Sequence, residues 1–141
     1  MGLYLCVFRD DDGDDEIEGV EVGGYDDFHA FREMVAAVCE DGHRGSRFPI
    51  LMSASDSEGA WTPTQAAGLD RELDAIARLL SGRAPRPYDA DTWQAKEMAR
   101  LGMKPLNLAD SFIDVDGEPL LNRLRTLAKA SVEVGRAIEF L

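Results

Sequence analysis

A chain of 141 residues, 45% hydrophobic and 30% charged, is long enough to close one core and too apolar to remain disordered. Its formal charge of −12 is local: residues 1–60 carry 15 Asp and Glu against 4 Arg, net −11, and residues 61–141 carry 12 against 11 basic residues, net −1. Such a field disfavours nucleic acid and anionic membranes as partners and favours cationic surfaces, although it also serves solubility.

The opening MGLYLCVF is apolar but short, has no basic residues and runs straight into aspartates, so neither a signal peptide nor a membrane span is expected. Within it, Leu3–Phe8 reads as a buried strand. The acidic stretch RDDDGDDE follows, and then EIEGVEV, where Ile17, Gly19 or Val20, and Val22 alternate with glutamates and suggest a strand with one wet face. Together these predict a hairpin with the acidic stretch at its tip. After GGY, residues 26–40 place Phe28, Phe31, Met34, Val35 and Val38 on one helical stripe, with Asp26 and Asp27 at the end where the helix dipole favours them. His29, beside that stripe, is expected as a half-buried packing residue. The run FPILMSA, Phe48–Ala54, reads as a third strand, and SDSEG as the turn after it.

Thr62, Pro63 and Gln65 spell a capping box with proline at the first helical position, and Ala66, Leu69, Leu73, Ile76, Ala77 and Leu80 line the helix behind it. The two-proline segment SGRAPRPYDAD is a loop and the expected site of mobility. A shorter helix runs from Thr92 to Leu101 and stops at Gly102. SFIDV reads as a fourth strand ending at the DG turn, Pro119 opens a last leucine-rich helix to Gly135, and AIEFL closes the chain as a fifth strand. Trp61 and Trp93, each near a helix start, are expected to anchor loops against the core. Cys6 and Cys39 sit inside apolar patterns and read as free buried thiols, which suits a cytoplasmic location. The order of elements predicts a single α+β domain over residues 1–141. It should hold a four- to five-stranded, mainly antiparallel sheet with three to four helices mostly on one face.

Two carboxylate groups carry most of the chemistry. The first is the tip, Asp10, Asp11, Asp12, Asp14, Asp15, Glu16 and Glu18, with Arg9 as its only neighbouring cation in sequence. As a calcium loop it fails, because setting Gly13 at the sixth position puts Phe8 and Gly19 where the first and last ligands belong. A solvated turn and a recognition surface both remain open. The second group is Asp114, Asp116 and Glu118 in DVDGE. They could serve a small metal-dependent hydrolase, with His43 as an accessory, but DG followed by Pro119 is also an ordinary turn and helix start. No nucleophile elbow, phosphate-binding loop, dinucleotide fingerprint or zinc motif is present in the sequence.

Five segments together carry a family resemblance: GLYLCVF, GSRFPILM at Gly45–Met52, the Ser55, Asp56, Gly59, Trp61, Pro63 pattern, Trp93–Gln94–Ala95, and FIDVDGEPLL at Phe112–Leu121. The chain resembles the immunity proteins encoded beside bacterial polymorphic toxins, of the immunity protein 70 type, across essentially its whole length. The resemblance implies a cytoplasmic, non-enzymatic protein without a cofactor that binds and neutralises a cognate toxin. The acidic tip is no part of it, so the expectation that the tip meets the toxin comes from charge alone. Toxins that cut nucleic acid need basic surfaces, which makes a basic, nuclease-like toxin domain the expected partner.

Overall fold

The computed structural model describes residues 2–141. Two strands, β1 (Gly2–Phe8) and β2 (Glu16–Gly24), form the expected hairpin. Helix α1 spans Tyr25–Cys39, α2 Pro49–Ser53, α3 Pro63–Ser81, α4 Trp93–Leu101 and α5 Leu120–Val134. Strand β3 is Gly59–Trp61 and β4 is Ile138–Phe140. The sheet is antiparallel throughout, with strand order β2-β1-β4-β3. The last strand of the chain therefore lies in the middle of the sheet, between its first strand and its third.

Alternation in β1 decides the architecture. Leu3, Leu5 and Val7 point into the core, joined by Val20 and Val22 of β2, Ile138 and Phe140 of β4 and Trp61 of β3. The helices supply the other half of that core: Phe28, Phe31 and Val35 from α1, Leu69, Leu73 and Ile76 from α3, and Leu121, Leu124 and Leu127 from α5. They pack on one side of the sheet, so Tyr4, Cys6 and Phe8 face the side without helices.

Helix α3 starts as its sequence predicts. Thr62 Oγ1 accepts the Gln65 N–H at 3.1 Å and Gln65 Oε1 accepts the Thr62 N–H at 2.9 Å. Both tryptophans anchor as expected: Trp61 Nε1 donates to the Ile50 carbonyl and Trp93 Nε1 to Asp27 Oδ2, each at 3.1 Å. Cys6 and Cys39 are free and buried.

Several expectations fail. Phe48–Ala54 is not a strand, because Pro49–Ser53 form the short helix α2. Pro49 sits at the first helical position, where a missing N–H costs nothing. From α3, the Glu72 carboxylate accepts the N–H groups of Ile50 and Leu51 at 3.1 and 2.9 Å. At its other end, the buried Arg32 takes the carbonyls of Leu51 and Ala54 at 3.1 and 2.6 Å, so α2 satisfies its backbone through partners distant in sequence. SFIDV is not a strand either. It makes a single bridge between Ile113 and Pro119, and the segment then turns on itself, with Asp114 N–H donating to the Glu118 carbonyl at 2.9 Å. The strand missing from the sequence reading is β3, three residues at the end of what reads as a turn. The sheet therefore has four strands. His29 is also exposed rather than half-buried, lying 3.8 Å from Glu33 and 3.6 Å from Asp56. The two-proline loop is tied down at Arg86, whose N–H donates to Ser111 Oγ at 3.1 Å, and at Arg83, whose carbonyl accepts the Leu108 N–H at 3.0 Å.

Candidate functional site

The hairpin register carries the acidic stretch clear of the sheet. Arg9 N–H donates to the Asp15 carbonyl at 2.8 Å, which closes the tip, and Arg9 Nε bonds Asp15 Oδ2 at 2.7 Å across its base. Inside, Asp10 Oδ1 accepts the Asp12 N–H at 3.2 Å, a local turn of the kind aspartate forms with its own backbone. Asp11 pairs with Arg136, from the connection between α5 and β4. That pairing, with Asp10 and Glu139 also close, holds the Arg136 guanidinium above its ordinary range. All residues from Arg9 to Glu16 are exposed. Among the described residues Asp12 and Asp14 have no cationic partner, nor has Asp10 beyond its distance from Arg136. Water solvates them, since burying unpaired like charges is prohibitive.

Glu16 and Glu18 do not belong with the tip. Glu16 is opposite Phe8 on the side of the sheet without helices, where its Oε1 accepts the Cys6 thiol at 3.0 Å and also the Tyr4 hydroxyl. Those two donors, Cys6 first, hold the Glu16 carboxyl below its usual range. Burial, reinforced by Glu16, pushes the Cys6 thiol up to about 12. Cys6 is therefore an inert hydrogen-bond donor at neutral pH. Gly19 makes the arrangement feasible, because any Cβ there would collide with the Tyr4 phenol and the Glu16 carboxylate. Glu18 pairs with Val7 in register, so it lies towards the helical side and is half-buried. The seven carboxylates thus divide into a tip of five, a hydrogen-bonded Glu16 and a separate Glu18.

The open side of the sheet holds residues that the sequence reading did not single out. Glu21 opposes Tyr4, Glu139 opposes Cys6 and Ala60 opposes Glu139 across the four strands. Glu21, Ala60 and Glu139 are exposed, Tyr4 and Phe8 half-buried. A hollow of about 370 Å³ is lined by Phe8, Ala60 and Glu139 together with Asp11 of the tip and its partner Arg136. Strand alternation in LYLCVF and AIEFL was the signal that could have revealed it, since Tyr4 and Glu139 interrupt otherwise apolar runs.

DVDGE forms a different structure. Asp114 is fully buried, its Oδ1 accepting the Glu118 N–H at 3.0 Å. Arg123 lies among the three carboxylates, with Nη1 at 2.8 Å from Glu118, 3.5 Å from Asp114 and 3.6 Å from Asp116. Its Nη2 donates to the Gly19 carbonyl at 2.7 Å, and Val115 N–H donates to the Glu21 carbonyl at 2.9 Å, so the turn closes the outer edge of β2. Burial pushes the Asp114 carboxyl up, with the Glu118 N–H and Arg123 opposing. A guanidinium occupies the place a cation would need, and no group of three His, Cys, Asp or Glu among the described residues could hold a metal. His43 lies in the exposed loop after α1 and has no hydrogen bond to this turn. The hydrolase reading loses its geometric basis.

Among the described residues no helix is long and apolar enough to cross a membrane. The family model described as Imm70, Immunity protein 70, matches residues 3–140. No curated protein and no solved structure matches the chain.

Proposed function

Since the chain belongs to the immunity protein 70 family, we propose that it is a cytoplasmic, non-enzymatic protein that binds a cognate bacterial toxin and neutralises it by covering a basic surface. The observation that carries this reading is the exposed hairpin tip, where Asp12 and Asp14 have no cationic partner among the described residues and Asp10 forms no ion pair, though Arg136 lies nearby. Carboxylates placed this way contribute little to the fold and much to the electrostatic attraction of a cation-rich partner. A nuclease-like toxin domain fits, because the surface that holds phosphate is the one an acidic protein would cover. In this reading the tip residues Asp10, Asp11, Asp12, Asp14 and Asp15 steer the encounter. Of the two carboxylates on the adjoining strand, Glu16 adds to the open side, while Glu18, turned to the helical side, adds only to the overall negative charge. The test is co-expression with the toxin encoded by the neighbouring gene. Growth should be rescued, and the purified pair should form a complex at low salt. Continued growth arrest, with no complex, would overturn the proposal.

A further inference from the structure

We propose that the side of the sheet without helices is the docking surface for this basic partner, with the hollow beside Phe8 receiving one of its arginine or lysine side chains. The inference rests on the toxin-binding reading and adds the location and chemistry of the contact. A sheet with helices on one side leaves the other to water, and there strands are expected to present polar rather than aromatic residues. Here the open side instead combines aromatic surface, Tyr4 and Phe8, with the carboxylates Glu16, Glu21 and Glu139.

The hollow gives that surface a concave centre. At about 370 Å³ it lies near the lower end of the roughly 300–1,000 Å³ typical of small-ligand pockets, which suits one long side chain. The Phe8 ring and Ala60 offer apolar contact to such a stem, and Glu139 faces Ala60 across the β3–β4 pair. No described cation pairs with Glu139. Charge complementarity selects the occupant. Among the described residues lining the hollow, Asp11 and Glu139 outnumber the single cation Arg136, which also lies near Asp10, so an incoming guanidinium or ammonium gains. An entering arginine can also take Asp11 from Arg136, exchanging one exposed pair for another. A planar guanidinium over an aromatic ring, with a carboxylate at its edge, is a favourable arrangement for arginine.

The division of labour separates this surface from the tip. Exposed rim charges act mainly on association rate, whereas a charge enclosed at the centre of an interface acts on dissociation. The experiment uses the intact protein and the neighbouring gene's toxin domain, inactivated by substitution. Wild type is compared with Glu139→Gln, Glu139→Lys and Ala60→Arg by surface plasmon resonance, alongside urea melts. Glu139→Lys should weaken binding by about thirtyfold or more and Ala60→Arg by about tenfold, the latter by filling the hollow. Glu139→Gln, which keeps the shape, should act chiefly by raising the dissociation rate. Both positions are exposed, so the urea midpoints should stay in place. If wild type binds and all three variants bind within about twofold of it, the docking surface lies elsewhere while the toxin-binding reading stands. If wild type itself neither binds nor rescues growth, that reading fails and takes this one with it.

Discussion

Glu16 illustrates how far a residue's role depends on its strand side rather than its neighbours in sequence. In RDDDGDDE it looks like one more tip carboxylate. In the structure it accepts hydrogen bonds from Cys6 and Tyr4, and its carboxyl is held below the ordinary value of 4.5. A carboxylate with a depressed folded-state pKa stabilises the fold above its unfolded pKa and loses that contribution as pH falls through the folded value. Urea melts of wild type and Glu16→Gln should therefore differ at neutral pH, and the gap should close below about pH 4.5. A gap independent of pH would show that the charge of Glu16 is immaterial to the fold. At the same place, Gly19→Ala should cost about 1–3 kcal/mol by displacing the Tyr4 phenol, measured by the same melts. Burial keeps Cys6 and Cys39 protonated, so a disulfide reagent at neutral pH should label both only after unfolding. Fast labelling of the native protein would contradict their placement.

At the scale of elements, what was legible in the sequence depended on whether an element's partners were local. Helix α3 announces itself because Thr62, Pro63 and Gln65 satisfy its first turn within four residues. Helix α2 does not, because its cap is the Glu72 carboxylate, 22 residues from Ile50 and 21 from Leu51. A five-residue apolar run carries no decisive period, so Phe48–Ala54 read equally well as a strand. The same holds for β3, too short to show alternation, whose place is set by pairing with β4 at the other end of the chain. Helix α4 is again held from a distance. Asp27 receives the Gly24 N–H at 2.7 Å, Trp93 Nε1 at 3.1 Å and Gln94 Nε2 at 2.6 Å, and Gln94 is the one buried residue of α4. Glu72→Ala should lower stability by about 1–3 kcal/mol, with Glu72→Gln losing less, because unsatisfied N–H groups at a partly buried helix start are costly. Asp27→Ala should raise amide exchange in α4 selectively, while α3 and α5 keep the exchange of the whole fold. Uniformly faster exchange would mean that α4 is integral to the cooperative core.

For the whole molecule, the sequence gives the charge asymmetry directly but not its geometry. Residues 1–60 hold nearly all of the −12, and folding places the tip at one end of a sheet whose open side adds Glu16, Glu21 and Glu139. The candidate site was legible where it is local, as a hairpin tip, and hidden where it depends on β4 crossing back beside β1. Arg136 is an instance, since 125 residues separate it from Asp11. Exposed carboxylates such as those of the tip steer encounter over about a Debye length, roughly 10 Å at 0.1 M salt, an effect that fades as salt rises. If the chain binds a basic toxin as proposed, its tip governs how fast the two meet. The most direct measurement is stopped-flow association with the inactivated neighbouring toxin domain, for wild type and for Asp10→Asn, Asp12→Asn, Asp14→Asn combined, across ionic strength. These three substitutions spare the Arg9–Asp15 and Arg136–Asp11 pairs, so the urea midpoint should hold or rise slightly. Association should slow by about tenfold at low salt, with the two rates converging at high salt. Equal rates at every salt concentration would reduce the tip to a solvated turn with no part in steering.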